Sequence, residues 1–368
     1  MDALIALAVA AGLSQSTMPL PTTTAPISDG SNTREAAVDA LVANFPEYQI
    51  LEQAPVGTVT VTGSATMSRM LSTLAEDFQE LYPGVTVDVN QGGSSRGIEA
   101  LKAGRCDLAA VSRELSAEEI AAIERATGKR VAVIPVGRDA VCVYVNADNP
   151  VKSLSRTQLN GIFALTHNLA DSMVMRWSDI DPSLPLGGAW VTLYVLDPSH
   201  GSMQEFIRQV MPGERFQTSM CYPQPTPSAV VNACCAYPNA VGISSFLSRQ
   251  PRARLVPVQM AADGPAVEPT FWTIHRGEYP MAVPLNLVAL TDASGNLSPL
   301  ALEWVRFMWS QSAADAVADV GGVLADPSTM PEFIRSSMPK RAKSDGAAAP
   351  ETPAETKAAP EQAPAPAK

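Results

Sequence analysis

The chain has 368 residues, of which 46% are hydrophobic and 17% charged; it is long enough for two domains with real cores and too apolar for a disordered chain. Its formal net charge of -11 argues against a nucleic-acid binder, which presents a basic face, but leaves an anion ligand open, because a buried site obeys local dipoles and not net charge. No run of about eighteen uninterrupted apolar residues occurs, so no transmembrane helix is expected.

Ala3 to Leu13 is apolar and as long as a signal-peptide core, although Met1-Asp2 supplies no cation ahead of it. Residues 1–13 are therefore read as a candidate signal peptide, and 14–55 as a loosely attached linker with one helix, Arg34 to Asn44. The organised chain is expected from Val56. A β-branched run, Val59 to Thr62, ends in Gly63-Ser64-Ala65-Thr66. A helix should follow, with Met67, Met70, Leu71, Leu74, Phe78 and Leu81 on one apolar stripe, stopped by Pro83-Gly84. A second strand, Val85 to Val89, ends in Gly92-Gly93-Ser94-Ser95, with a helix starting near Arg96, and a third, Leu108 to Val111, ends in Ser112-Arg113. Strand ends rich in hydroxyls and glycines that lead into helices suit an anion, because helix N-termini carry unpaired N–H groups and a partial positive charge. A parallel sheet would bring these loops to one edge.

Ser116 and Glu119 stand at capping-box spacing ahead of a helix that turns Ile120 and Ile123 inward and ends at Gly128. Strands are expected at Val131–Val136 and Ala140–Val145, and Asn149-Pro150 breaks the chain. A helix over Ser153 to Phe163 precedes a strand, Trp190 to Leu196, which ends in Asp197-Pro198-Ser199-His200-Gly201-Ser202. Another helix follows, Met203 to Met211, with Phe206, Ile207 and Val210 inward. A helix over Ser228–Ala236 and strands at Ala240–Ser244 and Val283–Leu290 come next, then an amphipathic helix, Leu300 to Met308, carrying Trp304 and Phe307. A further helix ends at Gly321-Gly322. From Arg341 the chain is Ala, Pro, Glu and Lys, a composition that cannot bury a core.

The five cysteines are Cys106, Cys142, Cys221, Cys234 and Cys235, an odd number that leaves at least one unpaired. A local disulfide from Cys221 to Cys234 or Cys235 and a set of buried small hydrophobes are both open. With no CxxC and only His167, His200 and His275, a zinc site is not expected.

The chain from about Val56 to Pro331 resembles the periplasmic phosphate-binding proteins of phosphate ABC transporters. The matching segments are Gly63-Ser64-Ala65-Thr66, Gln91 to Ile98, Asp107 to Leu115, Asn146 to Pro150, Trp177 to Ile180, Gly201-Ser202, Asn239 to Ile243 and Tyr279-Pro280. No one of them is specific; their order and spacing carry the likeness. The resemblance implies an α/β, two-lobed type II periplasmic-binding-protein fold with two hinge crossings. Lobe I would hold 56–146 and 245–340, lobe II 147–244, and 341–368 would be a disordered tail. It implies phosphate, or a related oxyanion, held by Ser64, Thr66, Met67, Ser94, Ser95, Arg96, Ser112 and Arg113 on one side and by His200, Gly201 and Ser202 on the other. It implies an ABC-transporter permease as partner, a site outside the cytoplasmic membrane, and neither cofactor nor catalysis.

The chain also departs from that family. Leu196 or Asp197 stands where the family usually has an arginine whose planar fork grips phosphate. Ser112 stands where some members have an aspartate, and Val283 where an arginine is frequent. A weakened binder serving as an envelope scaffold or sensor is therefore the alternative function. His200 beside Ser202 invites a hydrolase reading, but no G-x-S-x-G elbow occurs.

Overall fold

The computed structural model describes residues 36–186 and 188–338. The candidate signal peptide and the tail from Arg341 lie outside the described residues. Among the described residues, unit I comprises Val42–Asp139, Ser199–Gly201 and 282–338; unit II comprises 36–41, Ala140–Pro198 and Ser202–Met281.

After helix α1 (Ala36–Val42), strand β1 (Gly57–Gly63) leads into α2 (Ala65–Leu81). Met67, Met70, Leu71, Leu74 and Phe78 of the predicted stripe are buried, but Leu81 is 37% exposed. Tyr82, one position on, is fully buried in its stead, since i+4 from Phe78 lies as close to the stripe as i+3. Strand β2 (Val85–Gln91) and α3 (Ser94–Lys102) repeat the strand-to-helix turn, and β3 (Leu108–Val111) is buried throughout. Helix α4 (Ala117–Thr127) opens with the expected capping box between Ser116 and Glu119 and closes on Gly128 in the left-handed conformation.

The two strands expected across 131–145 are one, β4 (Arg130–Asn146). Pro135 and Gly137 do not break it, and the unit boundary falls inside it, between Asp139 and Ala140. In unit II follow β5 (Leu154–Ser155), α5 (Arg156–Phe163), β6 (Thr192–Val195), α6 (Gly201–Val210), β7 (Cys221–Pro223), α7 (Pro227–Ala236) and β8 (Ala240–Ser245). Gly201, the first residue of α6, counts with unit I. Then come β9 (Ala253–Leu255), β10 (Val258–Gln259) and α8 (Phe271–His275). The second half of β4 lies antiparallel to β8 and β9, and β6 lies parallel to β8 and β7. Residues 245–281 thus stay with unit II, because β9 pairs with β4 at Tyr144–Asn146 and β10 pairs with β5. The chain re-enters unit I at Ala282, whereas the sequence places its return at 245.

Unit I is completed by β11 (Ala282–Thr291), α9 (Pro299–Met308), α10 (Gln311–Asp319), β12 (Val323–Leu324) and α11 (Glu332–Ser337). β1 is parallel to both β2 and β3, while β11 runs antiparallel to β3. β12 pairs with Gly137 and Arg138 of β4, which keeps that strand continuous.

The stretch before Val56 is not a loose linker in its later part. Phe45 is buried and its ring lies 6.1 Å from that of Trp309. Tyr48 donates to Glu303 Oε1 at 2.5 Å, the Leu51 N–H donates to Tyr82 Oη at 2.9 Å, and the Gln311 N–H donates to Pro46 O at 2.8 Å. Aromatic anchors and satisfied backbone groups hold the segment to unit I, each buried ring adding about 1.5–3 kcal/mol.

The disulfide alternative is not realised: all five cysteines are free, with Cys106, Cys142 and Cys234 buried. Burial pushes the Cys221 thiol up to about 11, so it is a poor nucleophile at neutral pH.

Candidate oxyanion site

Parallel pairing sets Gly63 beside Gln91 on one flank and beside Ala110 on the other, so the ends of β1, β2 and β3 share one edge. Backbone bonds tie the loops there. Gly63 O accepts from the N–H groups of Gly92 at 2.9 Å and Gly93 at 2.8 Å, and the Ser64 N–H donates to Ala110 O at 2.9 Å. Gly63 has φ +149°, and a Cβ on it would lie 2.2 Å from Ala110 O; no other residue fits so close an approach.

This knot brings three of the predicted residues together. Ser64 Oγ donates to Ser112 Oγ at 2.9 Å, the Ser112 N–H donates to Ser94 Oγ at 3.2 Å, and the hydroxyls of Ser94 and Ser112 are 3.4 Å apart. All three serines are buried, as is Thr66 in the first turn of α2. The side chains at the starts of α2 and α3 do not cap those helices, whereas α4, α5, α7 and α10 all carry side-chain caps. The first N–H groups of α2 and α3 therefore meet no side-chain acceptor from their N-cap residues, as is also so for α9 and α11; a helix N-terminus carries a partial positive charge.

Segment Ser199–Gly201 also counts with unit I. A Cβ built on Gly201 would lie 2.7 Å from Ser112 Oγ and 2.8 Å from Ser94 Oγ, so a side chain there would strike the serine cluster. His200 is half-buried, and the hydroxyl of Ser202 is buried without a hydrogen-bond partner.

Other predicted residues lie elsewhere. Ser95 and Arg96 are exposed, and Met67 is fully buried in the apolar stripe of α2. The Arg113 guanidinium is held in a two-pronged pair with Glu119 at 2.8 and 2.7 Å and donates to Glu114 O at 2.9 Å. That hydrogen bond from Arg113 is the main cause that holds the Glu119 carboxyl below its ordinary range. Glu119, whose spacing from Ser116 signals only a capping box, accepts from both the Ser116 N–H and Arg113. Asn286 was missed as well: its amide reaches Arg113 O at 3.4 Å from β11, and no local signal marks it. Of the two residues at the place of the absent arginine, Leu196 is 1% exposed and Asp197 is exposed.

A mixed α/β chain whose parallel strands end in a buried hydroxyl cluster at uncapped helix N-termini has the makings of an anion receptor. The description "PBP superfamily domain" matches residues 51–312, and the chain belongs to that family. It is 26% identical over 291 residues to the phosphate-binding protein PstS of Pseudomonas aeruginosa, covering 78% of this chain and 88% of that one. A shorter stretch of 108 residues is 35% identical to the phosphate-binding protein PstS 2 of Streptococcus pneumoniae, covering 29% of this chain and 34% of that one. Among solved structures, the fold is shared with a putative phosphate ABC transporter substrate-binding protein from Clostridium perfringens with bound phosphate. Its TM-score is 0.59 at 21% identity, over 73% of this chain and 100% of that one. An ABC-type phosphate transport receptor from Vibrio cholerae gives 0.57 at 23% identity, over 72% and 99%.

Proposed function

We propose that this protein captures inorganic phosphate, or a closely related tetrahedral oxyanion, outside the cytoplasmic membrane and hands it unchanged to the permease of an ABC transporter. The observation that carries the reading is the buried cluster of Ser64, Ser94 and Ser112 at the ends of β1–β3. Hydroxyls and helix N-termini offer directed donors to an anion. Thr66 and Gly201 of the same unit would complete the set, and the names of the relatives point to the same ligand. Among the described residues no helix is long and apolar enough to cross a membrane. Calorimetric titration with inorganic phosphate tests the reading: binding in the micromolar range or tighter is expected, and none up to millimolar phosphate defeats it.

A buried leucine and an exposed aspartate at 196–197, where the family usually has an arginine, favour a second reading, in which weakened binding serves an envelope scaffold or sensor. Capture of envelope partners that depends on residues 341–368 and ignores phosphate would select it.

A further inference from the structure

Tyr194 of β6 is the register partner of both Tyr222 of β7 and Gly242 of β8, so the three residues share one face of the unit II sheet. A Cβ on Gly242 would lie 2.6 Å from Val230 and 2.8 Å from Cys234, which places α7 over that end of the row. Tyr237, the C-cap residue of α7, stacks on Tyr194 with 6.1 Å between centroids and 4° between planes. Tyr222 stacks on Tyr194 as well, at 5.8 Å and 27°. β7 is the outermost strand beyond β6, so the row opens to solvent: Tyr222 is 48% and Tyr237 52% exposed.

More apolar surface adjoins it. Trp190 and Met220, both exposed, stand just ahead of β6 and β7. The Leu193 N–H donates to Met220 O at 2.8 Å, and Asn239 Nδ2, two residues on from Tyr237, donates to Trp190 O at 2.8 Å. These bonds gather the exposed side chains at the amino ends of β6, β7 and β8. Large apolar residues scattered singly on a surface are ordinary, whereas a contiguous group marks a binding surface.

We propose that this tyrosine row is a docking platform for a polyproline II helix, and that its occupant is the proline-rich segment 350–366 of the same chain. Exposed aromatic rows suit that conformation for two reasons. A polyproline II helix is ordered before it binds, and its carbonyls, which make no internal hydrogen bonds, accept from phenol and indole tips. Residues three apart in it stand about 9 Å apart on one side, within the reach of a row whose neighbouring rings are 5.8 and 6.1 Å apart. Pro350 and Pro353 have that spacing, and Pro360, Pro364 and Pro366 follow. The segment carries three glutamates against one lysine, and the rim of the patch holds a cation, Arg176, whose guanidinium lies 4.4 Å over the Trp190 ring. The tether permits the contact: from Met338 to Pro350 an extended chain spans about 40 Å, more than the roughly 30 Å of a small domain.

Hydroxyl-radical footprinting of the full chain, read residue by residue by mass spectrometry, tests the proposal. The comparison is a chain with Pro350→Ser, Pro353→Ser, Pro360→Ser, Pro364→Ser and Pro366→Ser. A tethered segment has an effective concentration of about millimolar, so Tyr222 and Tyr237 should label at least about threefold more slowly in the wild type than in the variant. Leu81 of α2, exposed on unit I, is the control and should label equally. The protection should be the same at about 1 and about 100 micromolar chain, both below the tethered concentration. The reciprocal variant, Tyr222→Ser with Tyr237→Ser, should let trypsin cut after Lys357 at least about threefold faster. Circular dichroism checks its fold, and the proline variant decides alone if it is unfolded. Equal labelling of the two tyrosines with and without the prolines overturns the proposal. Protection that survives loss of the prolines, or that grows with chain concentration, also overturns it, because a second copy would then cover the row.

Discussion

Ser64 Oγ donates to Ser112 Oγ at 2.9 Å, across 48 positions of sequence, and so joins the end of β1 to the end of β3. The bond is available because α2 leaves its N-cap serine free of the usual cap contact. Ser112→Ala removes the acceptor and leaves a buried donor. Its cost in stability should be about 1–2 kcal/mol, read by urea unfolding, with phosphate affinity lowered about tenfold or more by calorimetry. A variant that binds phosphate as the wild type does would place the anion elsewhere.

Gly63→Ala puts a Cβ 2.2 Å from Ala110 O at φ +149°. Backbone opposes backbone there, so relief requires the sheet edge to open; a loss of about 3 kcal/mol or more is expected. Gly104→Ala is the control: its φ of +65° is strained, but nothing stands within 4 Å. It should cost about 1–2 kcal/mol. Both are read by chemical denaturation.

The Arg113–Glu119 pair predicts a pH signature. The folded-state carboxyl lies below its ordinary value, chiefly through the Arg113 bond. Its contribution to stability is therefore complete above about pH 4.3, the ordinary glutamate value, and is lost as the pH falls through the lower folded value. With Glu119 partly exposed, the effect stays at or below about 1 kcal/mol. The melting temperature of Glu119→Gln should fall below that of the wild type at neutral pH and converge with it in acid. A gap that persists unchanged at low pH would count against the pair.

Glu303 and Arg306 are both buried and meet at 2.5 Å, while Tyr48 and Tyr82 also donate to Glu303. Removing either charge alone strands the other. Arg306→Met should cost about 3–5 kcal/mol, and the double change Glu303→Leu with Arg306→Met should cost clearly less. Urea unfolding of the single and double variants settles it, and additive losses would show the two charges to be independent.

In the native protein at neutral pH, a small alkylating reagent should reach at most Cys221 and Cys235, the two half-buried thiols, and all five after unfolding. Mass spectrometry without reductant should show no disulfide; a mass lower by two hydrogens would contradict the free thiols. Reaction at Cys221 should be slow, because burial raises its thiol to about 11.

Periodicity and turn chemistry alone determined the strand–helix alternation of β1 to α4, the apolar stripe of α2, the capping box at Ser116 and the hydroxyl-rich strand ends. These are local: each is written in residues three or four apart or in a single turn. The likeness of ordered segments to phosphate-binding proteins also lay in the sequence, because segment order survives where single residues drift. Only the tertiary structure decided the rest. It joined Ser64, Ser94 and Ser112 through parallel register, tied Arg113 to Glu119, and left Ser95 and Arg96 on the surface. It put Leu196 in the core and kept 245–281 in unit II through β9 and β10. It also anchored residues 45–51 to unit I. The physical reason is common to all of these: each depends on a partner tens to hundreds of positions away, and side-chain pairing at that distance is fixed by packing and hydrogen-bond satisfaction, not by local pattern.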